Sequence, residues 1–144
     1  MPVTGHDVAL SLRRSYLTLH RRADQLVADL DLTADQFAVL TELAVAAGII
    51  QRELVDRLAS DANTIAAILR RLEERGWVRR DSSPEDARSK RVWLTTAGRT
   101  LQRRAAGRMR VLWSVLKASS GTALVRHLQA LERRLSPEAI PLQD

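Results

Sequence analysis

The 144-residue chain is 45% hydrophobic and 28% charged, the composition of one ordinary globular domain able to bury a core. Its 23 Lys and Arg outnumber 17 Asp and Glu, for a formal net charge of +6, which predicts a polyanionic partner because clustered cations release the counterions condensed on nucleic acid. The absence of cysteine excludes disulfides, thiolate metal sites and cysteine redox sensing. His6, Asp7, Arg13 and Arg14 interrupt any signal-like apolar run, and no stretch approaches the roughly 20 apolar residues that span a bilayer. A soluble cytoplasmic protein with no membrane partner is expected.

From Asp7 to Leu30, Leu10, Leu17, Leu26, Val27 and Leu30 recur at helical spacing and predict one long amphipathic helix. Thr33, with Gln36 in the capping-box position, opens a second helix through Phe37, Leu40 and Leu43, which Gly48 is expected to end. Two further helices, Gln51 to Leu58 and Asp61 to Arg75, are separated by a very short turn at Ala59 and Ser60, and Gly76 closes the second. Trp77 to Arg80 and Arg91 to Thr95 read as two strands of a hairpin around a polar segment containing Pro84. A long helix then starts at a Thr95 or Thr96 cap and runs to about Lys117. Ser119 to Gly121 break it, and a last helix carrying Leu124, Leu128, Leu131 and Leu135 is stopped by Pro137. No internal repeat or low-complexity segment is present.

Leu54, Leu58, Ser60, Ile65 and Ile68 fall where a helix-turn-helix buries residues to lock two helices across a tight turn. Any pair of packed helices would give a similar pattern, and this turn lacks the frequent glycine. The hairpin that follows adds a second feature: it gathers Arg88, Lys90 and Arg91 at and beyond its tip. A helix is wide enough for the major groove of DNA, while a thin ribbon tip can carry an arginine into the adjacent minor groove.

The run Asp86, Ala87, Arg88, Ser89, Lys90, Arg91, Val92, Trp93, Leu94, Thr95, Thr96, Ala97, Gly98 resembles the wing signature of the MarR family. The stretch from Leu32 through Leu43 and the run from Leu72 to Val78 resemble the second helix and recognition-helix exit of the same family. The resemblance implies a mainly α, α+β winged-helix fold, with six helices and a two- to three-stranded wing sheet. It also implies an obligate homodimer. Residues 33–98 would form the DNA-binding lobe, and 7–30 and 99–136 the dimerisation helices, all in one domain. Carried over, Arg88 is the minor-groove residue, oriented by Asp86, with Ser89, Lys90 and Arg91 beside it. Asn63 and Thr64 start the recognition helix near base edges. The polar or basic pair common in mid-helix is here Ala66 and Ala67, so base reading is assigned to Asp61, Asn63, Thr64 and Arg70.

The function expected from this resemblance is a transcriptional regulator, by family default a repressor, released from an inverted-repeat site on double-stranded DNA by a small aromatic or lipophilic ligand. Arg13, Tyr16, Leu17 and His20 share one stripe of the first helix. With Phe37 and Trp113, that stripe is the expected pocket for an aromatic carboxylate, although each residue also suits ordinary interhelical packing. The alternative is a non-specific architectural DNA-binding protein without effector. An enzyme is disfavoured, because His6, His20 and His127 lie far apart and no nucleophile with its base, metal cluster or phosphate loop is present. No cofactor and no metal are expected. Stacking platforms for single strands are also lacking in a chain only 3% aromatic.

Overall fold

The computed structural model describes residues 1–81, 90–119 and 121–142. In chain order these form α1 (Gly5–Val27), a 3-10 turn (Ala28–Leu30), α2 (Ala34–Val45), β1 (Ile49–Ile50), α3 (Gln51–Arg57), α4 (Ala62–Glu74), β2 (Val78–Arg80), β3 (Arg91–Leu94), α5 (Thr96–Ala118) and α6 (Gly121–Arg134). Among the described residues the protein is mainly helical, with six helices and a small antiparallel sheet, as the sequence predicts. No helix among the described residues is long and apolar enough to cross a membrane.

Helix starts follow from side chains that satisfy the unpaired amides of the first turn. Thr4 and Asp7 form one capping box and Thr33 and Gln36 a second. The first helix is shorter than predicted: α1 ends at Val27, and the chain tightens into the 3-10 turn before Asp31 reverses it with φ +55°. The second helix also ends early. Its last residue is Val45, and Gly48 (φ +69°) instead lies in the connection to β1.

The two-residue β1 is the third strand that the two- to three-stranded sheet implied by the resemblance allows, although the hairpin read from the residues themselves held only two. The sheet order is β1-β3-β2, with Ile49 opposite Val92 and Val78 opposite Leu94. Gln51 N–H donates to the Lys90 carbonyl at 2.9 Å, joining the start of α3 to the return strand.

The chain divides into two compact units, Met1–Met109 and Arg110–Asp144. In the first, Val27, Val39, Leu40, Leu43, Leu54, Ile65, Leu69, Leu72 and Val92 are fully buried. Burying each such side chain contributes about 1.5–3 kcal/mol, and together they fix α2, α3, α4 and the sheet around one core. Within this unit α5 buries Gly98, Leu101, Ala105 and Met109, one helical stripe. Arg108 on α5 is ion-paired with Asp29 at 2.6 Å. The second unit contains the end of α5 and all of α6. It leaves Val111, Val115, Val125 and Leu135 more than half exposed.

Candidate nucleic-acid interface

The turn between α3 and α4 determines how the second helix is presented. Ala59 N–H donates to Asp56 O at 3.2 Å and Ser60 N–H to Val55 O at 3.0 Å, the paired bonds of a Schellman ending. This requires a left-handed residue, and Ala59 supplies it with φ +47°. Arg57 braces the arrangement from outside, bonding Glu53 at 3.0 Å and Glu42 of α2 at 3.2 Å. Those two carboxylates, Glu53 first, hold its guanidinium protonated beyond the ordinary arginine range.

Inward, α4 buries Ile65, Leu69 and Leu72. Of the five residues predicted to lock the helical pair, Leu54 and Ile65 are buried, while Leu58, Ser60 and Ile68 are only half-buried. Leu69 takes the place expected of Ile68. The reason is helical phase: 65, 69 and 72 share a stripe that 68 flanks.

Outward, Asn63, Thr64 and Arg70 are exposed, with Ala66 and Ala67 half-buried between them. Asp61 is the N-cap: its carboxylate accepts from Thr64 N–H at 2.8 Å and from the Thr64 hydroxyl at 2.7 Å. These bonds, the hydroxyl first, hold the Asp61 carboxyl below its ordinary range. Asp61 and Thr64 are therefore engaged with each other, and Asn63 and Arg70 are the predicted readers whose side chains project from the exposed face.

The exit from α4 uses the same bonding pattern, with Gly76 (φ +72°) donating to Glu73 O at 2.9 Å and Trp77 donating to Leu72 O at 2.9 Å. Here four residues meet. The Thr95 hydroxyl donates to Gly76 O at 2.6 Å and accepts from Gly98 N–H at 3.0 Å, so Thr95 is the cap that starts α5. A Cβ on Gly98 would fall inside the radius of the Trp77 carbonyl oxygen.

Arginines rigidify the hairpin base. Arg80 grips Glu73 of α4 through Nε at 2.9 Å and Nη2 at 2.6 Å. Arg79 lies over the Trp93 ring at 4.3 Å and Arg75 over Trp77 at 4.9 Å. Arg91, a predicted DNA contact, is exposed and bonds the Gly48 carbonyl at 2.9 Å, while Lys90 is half-buried. Asp86, Arg88 and Ser89 lie outside the described residues. Sequence reasoning missed the Arg80–Glu73 grip and the arginine–tryptophan stacks. The alternation of Arg79 and Arg80 across two faces was the available signal for them.

The predicted ligand stripe is only partly assembled. Tyr16 and His20 have ring centroids 5.8 Å apart, with Tyr16 and Arg13 exposed and Phe37 buried. His20 turns Nδ1 to Asp24 at 3.4 Å and Nε2 to Asp35 of α2 at 3.2 Å. Both ring nitrogens thus face carboxylates. Trp113 lies in the second unit. Among the described residues, no group of three or more His, Asp or Glu is arranged to hold a metal ion.

Residues 32–90 match the model of the MarR family. The transcriptional regulator HosA of Escherichia coli O111:H- is 44% identical over 68 residues, 47% of this chain and 50% of HosA. The HTH-type transcriptional regulator TtmR of Methylorubrum extorquens is 34% identical over 110 residues, 71% of this chain and 56% of TtmR. The chain thus spans about half the length of the curated relatives it matches. A crystal structure of the Mycobacterium tuberculosis transcriptional regulator MOSR in complex with DNA superposes with TM-score 0.76 at 26% identity, over 93% of this chain and 98% of that one.

Proposed function

Since the chain belongs to the MarR family, we propose that it is a sequence-specific, double-stranded DNA-binding transcriptional regulator, a homodimeric repressor released from an inverted-repeat operator by a small aromatic or lipophilic ligand. The observation that carries this reading is the exposed face of α4, presented by a braced helix-turn-helix and followed at once by a basic hairpin. Asn63 and Arg70 would meet base edges in the major groove and Arg88 the minor groove. Asp61 and Thr64 act through the cap that orients the helix. Asp86 would orient Arg88 by a charge-assisted bond, and Ser89, Lys90 and Arg91 would support the wing on the phosphates. The solved relative in complex with DNA supports the same use of the fold.

A dimer is favoured by the exposed valines and leucines of the second unit and by the few base contacts one lobe can offer. In this reading residues 33–98 form the lobe, and 7–30 with 99–136 the pairing helices.

The test is selection of bound duplexes from a random pool, which should yield an inverted repeat with half-sites about 10 base pairs apart. On the selected duplex Arg88→Ala should weaken binding by about 1–3 kcal/mol at fixed salt, and Asn63→Ala should relax preference at particular base pairs. Enrichment of no sequence at all would leave a non-specific binder and defeat the proposal.

A further inference from the structure

Strands β2 and β3 alternate their side chains between two faces. Val78 and Val92 are buried in the core, so Arg79, Arg91 and Trp93 stand together on the other face, with Arg79 opposite Trp93 in the register. Arg79 lays its guanidinium 4.3 Å from the centroid of the Trp93 ring. On the β1 side of β3, the Gly48 backbone lies against the same indole: a Cβ at Gly48 would fall 2.9 Å from Trp93 Nε1. The Gly48 carbonyl accepts from Arg91 Nη1 at 2.9 Å. One glycine and one tryptophan thus hold two guanidiniums on a single face of the sheet.

These contacts leave both arginines able to bind an anion. A stacked guanidinium keeps its five N–H donors at its rim. Arg79 is 60% exposed, and its ion-pair partner among the described residues is Asp81, at 3.8 Å and itself 61% exposed. An exposed pair at that distance is weak and is screened by salt. Arg91 is exposed and uses one nitrogen on Gly48. Stacking already restricts the Arg79 side chain, so less freedom is lost when it meets an anion. The two cations are offset by two residues along the sheet, about 7 Å, a spacing that suits the repeated charges of a polymer better than one small anion. We propose that this outer sheet face is a phosphate-binding surface for duplex DNA, in which Arg79 meets the backbone and Trp93, seated on Gly48, is its positioning residue.

The proposal rests on the DNA-binding reading above and adds to it a contact without sequence information, because phosphates are the same on every duplex. Duplex DNA is favoured over an acidic protein segment by continuity, since the face lies on the strand that begins with Arg91 and leads back to the basic hairpin. Asp81 then opposes DNA twice: it draws on Arg79, and its charge repels the phosphates. Neutralising Asp81 is therefore expected to strengthen binding.

The experiment measures binding of the full chain to the selected duplex and to a scrambled duplex over a range of salt. Arg79→Gln should weaken both by the same factor, about three- to tenfold, and lower the slope of log affinity against log salt by about 1. Asp81→Asn should strengthen both. Trp93→Leu, which changes no charge, should weaken both about two- to fivefold, the worth of an exposed cation–π stack, and Trp93→Phe should restore most of that loss. In an Arg79→Gln background Trp93→Leu should have no further effect, which separates positioning of the arginine from damage to the sheet. Urea denaturation verifies that each variant is folded under the binding conditions. An unchanged salt slope in Arg79→Gln, a loss confined to the selected duplex, weaker binding by Asp81→Asn, or equal losses from Trp93→Leu with and without Arg79 overturns the proposal. So does capture of poly-glutamate that Arg79→Gln abolishes while duplex affinity stays unchanged, which would give the face to an acidic protein. A parent chain that binds no duplex defeats the DNA-binding reading as well, whereas a parent that binds and is matched by Arg79→Gln defeats this proposal alone.

Discussion

The two ends of the recognition helix are reached by turns with the same hydrogen bonds and different residues. At Ala59 and at Gly76 the chain enters the left-handed region, with φ +47° and +72°, and at both the next amide reaches back five residues. The entry turn does this with a Cβ in place and the exit turn without one. The bonding pattern and the buried helices on either side therefore fix the geometry, and the residue fixes only its cost, about 1–2 kcal/mol for a left-handed residue with a side chain. The ends differ in their surroundings. Asp61 caps the entry on an exposed surface, whereas the exit is closed in by Thr95, Trp77 and Gly98.

The largest effect that this contrast predicts lies beside the exit turn. Gly98→Ala places a methyl group inside the Trp77 carbonyl, where backbone must move, and should cost about 3 kcal/mol or more by urea denaturation, the upper end of overpacking. A loss under about 1 kcal/mol would show that α5 slides freely at its start and that the exit is no tighter than the entry. Gly76→Ala comes next. Its Cβ would point into open space, so the expected loss of about 1–2 kcal/mol isolates the backbone term.

The converse change, Ala59→Gly, relieves that term and adds glycine's entropy cost of about 0.5–1 kcal/mol. It should stabilise the protein by about 0.5–1 kcal/mol. Destabilisation instead would mean that the Ala59 methyl makes a contact outweighing its strain. The smallest effect concerns the cap. A carboxyl held below its unfolded value contributes stability that is complete above the ordinary carboxylate range and is lost as pH falls through that range and below it. Asp61→Asn, which keeps an acceptor but cannot titrate, should therefore unfold with a shallower acid dependence than the parent below about pH 4. Identical acid curves for the two would remove the cap from the account of α4.

Much of this molecule was legible from periodicity and punctuation. Thr33 with Gln36, the extent of α4 and the stop at Gly76 all depend on residues within a few positions of one another, so short-range rules place them. What escaped depends on residues distant in sequence. Ile49 and Ile50 become a strand only because Val92 and Arg91 lie beside them, and two apolar residues before a helix carry no strand signal of their own. Asp61 read as a possible base contact because its position at the helix start is equally that of a cap. The cluster of Gly48, Arg79 and Trp93 draws on three separate segments, each unremarkable alone, whereas the stripe of Arg13, Tyr16 and His20 was visible because it lies on one helix. Only the fold reveals that His20 also faces Asp35 of α2.

Strand β3 lies in the middle of its sheet, paired on one side with a strand that precedes the helix-turn-helix and on the other with one that follows it. Closing the Ile49–Val92 pair requires the whole of α3 and α4 to be looped out between them. Such a long-range closure incurs its entropy before any sheet bond rewards it, while helices α3 and α4 need only their neighbours. The helical pair is thus expected to form early in folding and the three-stranded sheet late, so the hairpin base completes the lobe only after the recognition helix is already packed.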